Sequence, residues 1–285
     1  MKDILRKYSK EVNKFIENAL QEDIGSGDVT TDFLVPSKVN IKGMFIAKSE
    51  GVVCGVPLIK LTLKKLNKEI KVINKKKDGD FIKSGDVIAI VKGNARAILS
   101  GERVVLNIIQ RLSGIATTTK KFVDIVKPYK VVILDTRKTT PNLRILEKYA
   151  VTVGGGQNHR MGLYDAALIK NNHLKIVDLE KAVYELKRWL PKDMTIEIEV
   201  HDIDTLKKAI KLCPDIIMLD NMSLSMVDEA MKIIKQSHCK SKIEISGGVN
   251  LHNIRDYDQR KPDFISIGSI THSPQAMDIH FKLLT

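Results

Sequence analysis

Between Asp135 and His173 the chain reads DTRKTTPNLRILEKYAVTVGGGQNHRMGLYDAALIKNNH, which gathers Arg137, Lys138, Arg144, His159, Arg160, Lys170 and His173 around Gly154-Gly155-Gly156. Arginine presents a planar fork that matches carboxylates and phosphates bidentately, and lysine adds a compact point charge. Mixing the two suits a substrate that carries several anionic groups of different shape. The glycine run matches neither a G-x-x-x-x-G-K-[ST] phosphate loop nor a dinucleotide fingerprint, so by itself it is a turn.

These residues need elements to hold them, and the pattern from Val131 onward supplies candidates. Short apolar runs recur, each ending abruptly in polar residues and followed by a helix-patterned stretch: VVILDTRK, AALIKNNH, TIEIEV, DIIMLDN, KIEISGG and FISIGS. Near-continuous apolar strands alternating with helices indicate a parallel sheet covered on both faces. In a barrel of this kind the active site gathers at the carboxyl ends of the strands. Read in order, those ends are Asp135 to Lys138 (with Thr136 and Arg137), Lys170 to His173, Glu199, Asp220-Asn221, Ser246-Gly247-Gly248 and Ile267-Gly268-Ser269. All six are expected to line one concave site.

Residue type divides the chemistry among them. Ser246-Gly247-Gly248 and Ile267-Gly268-Ser269 close the last two strands, where exposed backbone N–H groups hold phosphate and glycine permits close approach. Glu199 and Asp220 end neighbouring strands and face the basic cluster. They could bind a divalent cation, bond to sugar hydroxyls, stabilise positive charge on a sugar carbon, or balance the arginines as structural ion pairs. Lys170 has the position of a Schiff-base lysine, but Asn171-Asn172-His173 gives it no apolar pocket to depress its pKa. His201, His238, His252 and His280 have no partners at ligand spacing and read as surface or core histidines.

Composition narrows the class further. A 285-residue chain with 43% hydrophobic and 28% charged residues is an ordinary globular protein. The opening MKDILRKYSKEVNKFIENALQEDIG places Ile4, Leu5, Val12, Phe15, Ile16, Ala19 and Leu20 at helical spacing, an amphipathic helix and not a signal peptide. No run approaches the roughly 20 apolar residues of a membrane span, and a cytoplasmic location is expected. Much of the formal net charge of +13 is diffuse lysine, including the solvated run Lys75, Lys76, Lys77, and the 5% aromatic content lacks the basic–aromatic interleaving of a nucleic-acid platform. Cys54, Cys213 and Cys239 are widely separated and odd in number, so they are expected to be buried small hydrophobes with neither disulfide nor zinc site.

From Ile41 to Ala97, β-like runs are punctuated by turns such as Asp78-Gly79 and Ser84-Gly85-Asp86, which predicts a small α+β domain. Ser100 to Lys120 then reads as a helix with a buried stripe of Val104, Val105, Ile108, Ile109 and Leu112, Arg103 pointing elsewhere. The expected division is an α+β domain over residues 1–110 and an α/β catalytic domain over 111–273.

The segments EDIGSGDVTT (22 to 31), GERVVLNIIQRLSGIAT (101 to 117), DTRKTTPNLR (135 to 144), GGGQNHRMGLYD (154 to 165), LIKNNH (168 to 173), EIEV (197 to 200), LDN (219 to 221), ISGGV (245 to 249) and SIGSITHS (266 to 273) resemble the quinolinate phosphoribosyltransferases. These enzymes are also called carboxylating nicotinate-nucleotide pyrophosphorylases. The likeness runs in order through nearly the whole chain. It implies an open, incomplete α/β barrel of parallel strands, a smaller N-terminal α+β domain, and a final helix at 274–285 packed back on that domain. It implies an activity in NAD synthesis: quinolinate and 5-phosphoribosyl 1-diphosphate give nicotinate mononucleotide, diphosphate and carbon dioxide.

The same resemblance puts Arg103, Arg137, His159 and Arg160 around the quinolinate carboxylates, and Lys138 and Lys170 near both the carboxylates and the diphosphate. Glu199 and Asp220 match an acidic pair at the ribose. Ser246, Gly247, Gly248 and Gly268 match 5-phosphate loops, with His272 nearby. Magnesium is implied as cofactor, held mainly through the diphosphate, with Glu199 and Asp220 as direct or water-mediated contacts. A homodimer at least is implied, Arg103 reaching a neighbour's site. Where the family's TTPGLR motif has glycine this chain has Asn142, a residue that tolerates φ > 0. Three other readings stay open at this point: a related phosphoribosyltransferase-like barrel enzyme with a different acceptor or a role in molybdenum transport, a lysine-dependent aldolase, and a basic RNA-binding protein.

Overall fold

The protein is described here by a computed structural model covering residues 2–284. In chain order it holds α1 (Lys2–Lys7), α2 (Ser9–Ile24), α3 (Thr31–Leu34), β1 (Asn40–Ala47), β2 (Gly51–Val52), α4 (Val56–Leu66), β3 (Lys71–Asn74), β4 (Phe81–Ile82), β5 (Val87–Asn94) and α5 (Ala95–Val126). Then follow β6 (Val132–Leu134), α6 (Arg144–Val153), β7 (Ala167–Ile169), α7 (Asn171–Leu174), α8 (Leu179–Trp189), β8 (Ile196–Val200), α9 (Ile203–Leu212) and β9 (Ile216–Asp220). The last elements are α10 (Leu224–Gln236), β10 (Lys242–Ser246), α11 (Ile254–Asp258), β11 (Phe264–Ser266), α12 (Ser269–His272) and β12 (Ile279–Leu284). None of these helices is long and apolar enough to cross a membrane.

Two compact units emerge. One comprises residues 1–120, 139–155 and 270–285; the other comprises 121–138 and 156–269. Residue 110 lies inside α5, whose Ile98, Val105, Leu106 and Ile109 are part of the first unit's core with Phe45, Ile59, Leu63, Ile88 and Val91. The division between the units falls further along the same helix, between Lys120 and Lys121.

The first unit is built on an antiparallel sheet of order β12-β1-β5-β3 with a separate β2-β4 ribbon. Its C-terminal segment is a strand where a helix was expected. In IHFKLL, Ile279 is buried and Phe281 is set against Phe45 at 5.0 Å between ring centroids, and the segment pairs antiparallel with β1 from Lys42↔Leu284 to Ala47↔Ile279. Pairing with the backbone of β1 satisfies donors and acceptors that would otherwise form a bare edge. Asn142 has φ 63°, the left-handed conformation its type permits, so the turn after Pro141 forms without glycine.

All six apolar runs of the C-terminal half are strands of the second unit, in a parallel sheet of order β6-β11-β10-β9-β8-β7. Helices α8, α9 and α10 start at Asp178, Asp202 and Ser223, whose side chains accept from backbone N–H groups of the first turn. Each helix buries a small apolar set: Leu179 and Val183, Leu206 and Ala209, Val227 and Ala230. Neighbouring strands lie about 4.8 Å apart, so the carboxyl ends of adjacent strands come within a side chain's reach of one another.

The cysteine expectation fails for two of three. Cys54 is free and buried, but Cys213 and Cys239 form a disulfide. The β9–β10 register explains it. Lys242 pairs with Ile216, and Cys239 and Cys213 each lie three residues ahead of those partners, which brings their Cα atoms to 5.4 Å.

Candidate active site

Strand alternation selects which side chains meet. In β8, Ile196, Ile198 and Val200 take one face and Glu197 and Glu199 the other, since successive side chains point oppositely. The parallel register carries that second face across the sheet: Glu199↔Met218, Met218↔Glu244 and Asp220↔Ser246. The result is a cavity of about 360 Å³ lined by Thr136, Arg137, Lys138, His159, Arg160, Leu168, Lys170, Glu199, Met218, Asp220, Ser246 and Ser266. Nine of these twelve were expected from sequence; Leu168, Met218 and Ser266 were not, although each sits at a strand position of matching parity.

The loop after β6 is held by a buried carboxylate. Asp135 accepts from Asn158 Nδ2 at 2.6 Å and from the His159 backbone N–H at 2.9 Å, while Gln157 bridges to β6 through its N–H to Ile133 O at 2.8 Å. This anchors the segment that presents Arg160, whose Nη1 donates to Ala166 O at 2.8 Å. Burial lowers the Arg160 guanidinium from its usual range, Arg137 beside it lowers it further, and Glu197 opposes both. An arginine so placed gains from an anion that neutralises it.

Glu199 and Asp220 close the other side. Lys170 Nζ donates to Glu199 Oε2 at 2.6 Å, and His201 lies 3.2 Å from Glu199 Oε1 and 3.1 Å from the Asp220 carbonyl. From sequence, His201 has no partner at ligand spacing and reads as a surface or core histidine. Its closeness to Glu199 follows from i, i+2 parity on one strand end, and to Asp220 from strand adjacency, which no linear spacing displays. Asn221 N–H donates to Ser246 O at 2.8 Å, and a Cβ on Gly247 (φ 90°) would lie 2.7 Å from Asn221 N. Only glycine fits that crossing of backbones.

Beneath the pocket lies a second acidic pair that sequence reasoning did not single out. Glu197 and Glu244 are 1% and 0% exposed, with His159 Nε2 at 3.1 Å and 3.7 Å from their carboxylates. The Arg160 backbone N–H donates to His159 Nδ1 at 2.7 Å, so the ring accepts there and turns Nε2 toward the acids. Burial pushes Glu244 up to about 7, with Glu197 adding to the rise. The signal was present as the alternation in IEIEV and KIEIS, where every second residue faces the interior.

The remaining expected residues stand as follows. Gly248 (φ 65°) follows Gly247 at the end of β10, and Gly268 and Ser269 are half-buried beyond β11. Ile267 is buried and its N–H donates to Leu134 O at 3.0 Å, a sheet bond. Arg103 and His272 belong to the first unit, where both are exposed, as does Arg144, whose Nε donates to Thr139 Oγ1 at 2.9 Å.

A parallel βα sheet whose strand ends set four permanent cations, Arg137, Lys138, Arg160 and Lys170, against two carboxylates defines an α/β enzyme scaffold for a polyanionic substrate. Comparison with known proteins gives the family. The chain matches the profile described as quinolinate phosphoribosyl transferase, N-terminal domain, over residues 28–113, and that of the C-terminal domain over 115–282. It is 40% identical over 270 residues to a probable nicotinate-nucleotide pyrophosphorylase [carboxylating] of Bacillus subtilis, spanning 94% of this chain and 92% of that one. With the chloroplastic nicotinate-nucleotide pyrophosphorylase [carboxylating] of Arabidopsis thaliana it shares 37% over 295 residues, 96% of this chain and 83% of the other. The solved nicotinate-nucleotide pyrophosphorylase of Francisella tularensis superposes with a TM-score of 0.89 at 37% identity, covering 96% of each chain. The chain belongs to the quinolinate phosphoribosyltransferase family.

Proposed function

We propose that this protein transfers the phosphoribosyl group of 5-phosphoribosyl 1-diphosphate to the ring nitrogen of quinolinate with loss of carbon dioxide, forming nicotinate mononucleotide and diphosphate for NAD synthesis. The observation that carries this reading is the pocket's charge pattern: four cations, two carboxylates and a glycine turn at Gly247-Gly248 on one set of strand ends. The cations match a dicarboxylate and a diphosphate, the carboxylates match a ribose carbon that becomes positive, and the turn matches a 5-phosphate.

In the proposed mechanism Arg137 and Arg160 bind the quinolinate carboxylates, and His159 holds its loop against Glu197. Lys138 and Lys170 bind the carboxylates and the departing diphosphate. The bond from the anomeric carbon to diphosphate breaks as the pyridine nitrogen attacks, and Glu199 and Asp220 stabilise the positive charge that grows on that carbon. The nitrogen then bears a positive charge. When the adjacent carboxylate leaves as carbon dioxide, the electron pair stays on the ring carbon, stabilised by that charge, and a proton completes the product.

Magnesium fits beside Glu199 and Asp220. Their carboxylates and His201 present ligand atoms within 4.8 Å of one another, and oxygen donors suit this ion, although two carboxylates fall short of six ligands. Substrate diphosphate and water would complete the set, and the bound ion would neutralise charge on the leaving group. We further propose a homodimer in which the exposed Arg103 on α5 reaches the partner's pocket, with His272 near the 5-phosphate, and a cytoplasmic location, consistent with the lack of a membrane-spanning helix among the described residues.

An acceptor comparison tests the reading. With 5-phosphoribosyl 1-diphosphate and magnesium, quinolinate should give nicotinate mononucleotide by chromatography and nicotinate should give none. Turnover of nicotinate alone would assign the site to another acceptor.

A further inference from the structure

The Glu199 carboxylate is nearly buried, with 9% of its side chain exposed, yet it must hold one orientation while a substrate enters. Its two oxygens are held differently. Oε2 accepts from Lys170 Nζ at 2.6 Å, but Lys170 has 47% of its side chain exposed and faces the cavity that collects anions. An entering phosphate or carboxylate competes for that ammonium. Oε1 faces His201 Nε2 at 3.2 Å, and His201 is not among the residues that line the cavity.

His201 is itself anchored. Its Nδ1 lies 3.1 Å from the Asp220 backbone carbonyl and 3.6 Å from Asp220 Oδ2, so a rigid ring spans the ends of β8 and β9. Both neighbours are oxygen acceptors, so whichever ring nitrogen carries the proton has a partner within hydrogen-bond reach. A planar ring with two fixed contacts loses little further freedom on holding a carboxylate, unlike a four-carbon lysine stem.

We infer that His201 is a positioning residue for the phosphoribosyl transfer, holding Glu199 and Asp220 in a fixed relative orientation when Lys170 turns to the anionic substrates. The inference rests on the proposed function, because it assigns Glu199 and Asp220 to the ribose. It adds a residue that touches no substrate and acts through two that do.

Three variants test it in the full-length protein with quinolinate, 5-phosphoribosyl 1-diphosphate and magnesium. His201→Phe keeps a planar ring and removes both ring nitrogens; His201→Gln restores a polar donor at the reach of Nε2; His201→Asn restores one at the reach of Nδ1. With His201→Phe, kcat should fall about tenfold to a hundredfold, the range seen when groups that orient active-site ligands are removed. The KM for quinolinate should stay within about twofold, since that acid is bound by other residues. His201→Gln should recover more of kcat than His201→Asn, because Glu199 lacks a second fixed partner. A His201→Phe enzyme with wild-type kcat would overturn the inference. So would a loss that follows the folded fraction in thermal melts and is equal in all three variants. Wild-type protein inactive with quinolinate would overturn the functional reading and this inference together, whereas active wild type with indifferent variants would overturn this inference alone.

Discussion

Arg160 is an arginine whose charge burial and Arg137 both disfavour, so it gains from an anionic partner. Arg160→Ala should weaken quinolinate binding by roughly 2 to 5 kcal/mol, the cost of leaving a buried charged partner unpaired, and should raise KM for quinolinate more than for 5-phosphoribosyl 1-diphosphate. An unchanged KM for quinolinate would remove Arg160 from that subsite. Glu244 gives a second prediction. Its folded-state pKa is raised from 4.5 to about 7 by burial and by Glu197, so the stability contributed by its protonated form is complete below about pH 4.5 and lost as pH rises through 7. Glu244→Gln, which cannot ionise, should therefore gain stability relative to wild type between pH 5 and pH 8 in melts at matched ionic strength. A difference that does not change with pH would mean Glu244 does not titrate in that window. The residues at strand ends were readable from type and position alone. Glu197, Glu244 and His201 were missed for a physical reason: their meaning comes from the face of the sheet they share, which depends on register.

Single elements carry their own tests. The TTPNLR turn is tied to α5 through Glu147, fully buried, which accepts from Arg111 Nε at 3.1 Å, Arg111 Nη2 at 2.8 Å, Thr140 N at 3.0 Å and Thr140 Oγ1 at 2.9 Å. Arg111 Nη2 also donates to Thr271 O at 2.6 Å. Arg111→Met should cost about 3 to 5 kcal/mol in chemical denaturation, because it removes the counter-charge of a buried carboxylate that Thr140 alone would still hydrogen-bond. A loss below about 1 kcal/mol would show that the network can relax or draw in water. Thiol titration of denatured, unreduced protein checks the β9–β10 bridge: one reactive thiol, Cys54, is expected, and three would contradict the Cys213–Cys239 disulfide. The six parallel strands were readable because buried strands are apolar runs with abrupt polar ends. Strand β12 was not: six residues carry little periodicity, and what makes them a strand is the available edge of β1. The disulfide was hidden likewise, since it depends on two strands becoming neighbours.

At the scale of the molecule, the family profiles change between residues 113 and 115, whereas compactness divides the chain between 120 and 121 and assigns residues 139–155 and 270–285 to the first unit. Sequence order and packing answer different questions, and only the second depends on which cores the apolar faces join. The proposed dimer is tested by complementation. Arg103→Ala and Lys170→Ala, each inactive alone, should on mixing and subunit exchange recover about a quarter of wild-type activity, because half of randomly assorted dimers are mixed and each holds one complete site. No recovery despite verified exchange would place Arg103 in its own protomer's site or outside any. The central claim is that one pocket joins a diphosphate-activated ribose to a dicarboxylate and then releases one of those carboxylates. It is measured most directly by following labelled carbon dioxide from 2-carboxyl-labelled quinolinate in the presence of 5-phosphoribosyl 1-diphosphate and magnesium. Release in equal amount with diphosphate, and none when either substrate is withheld, is the expected result; diphosphate formed without carbon dioxide, or no release at all, would contradict it.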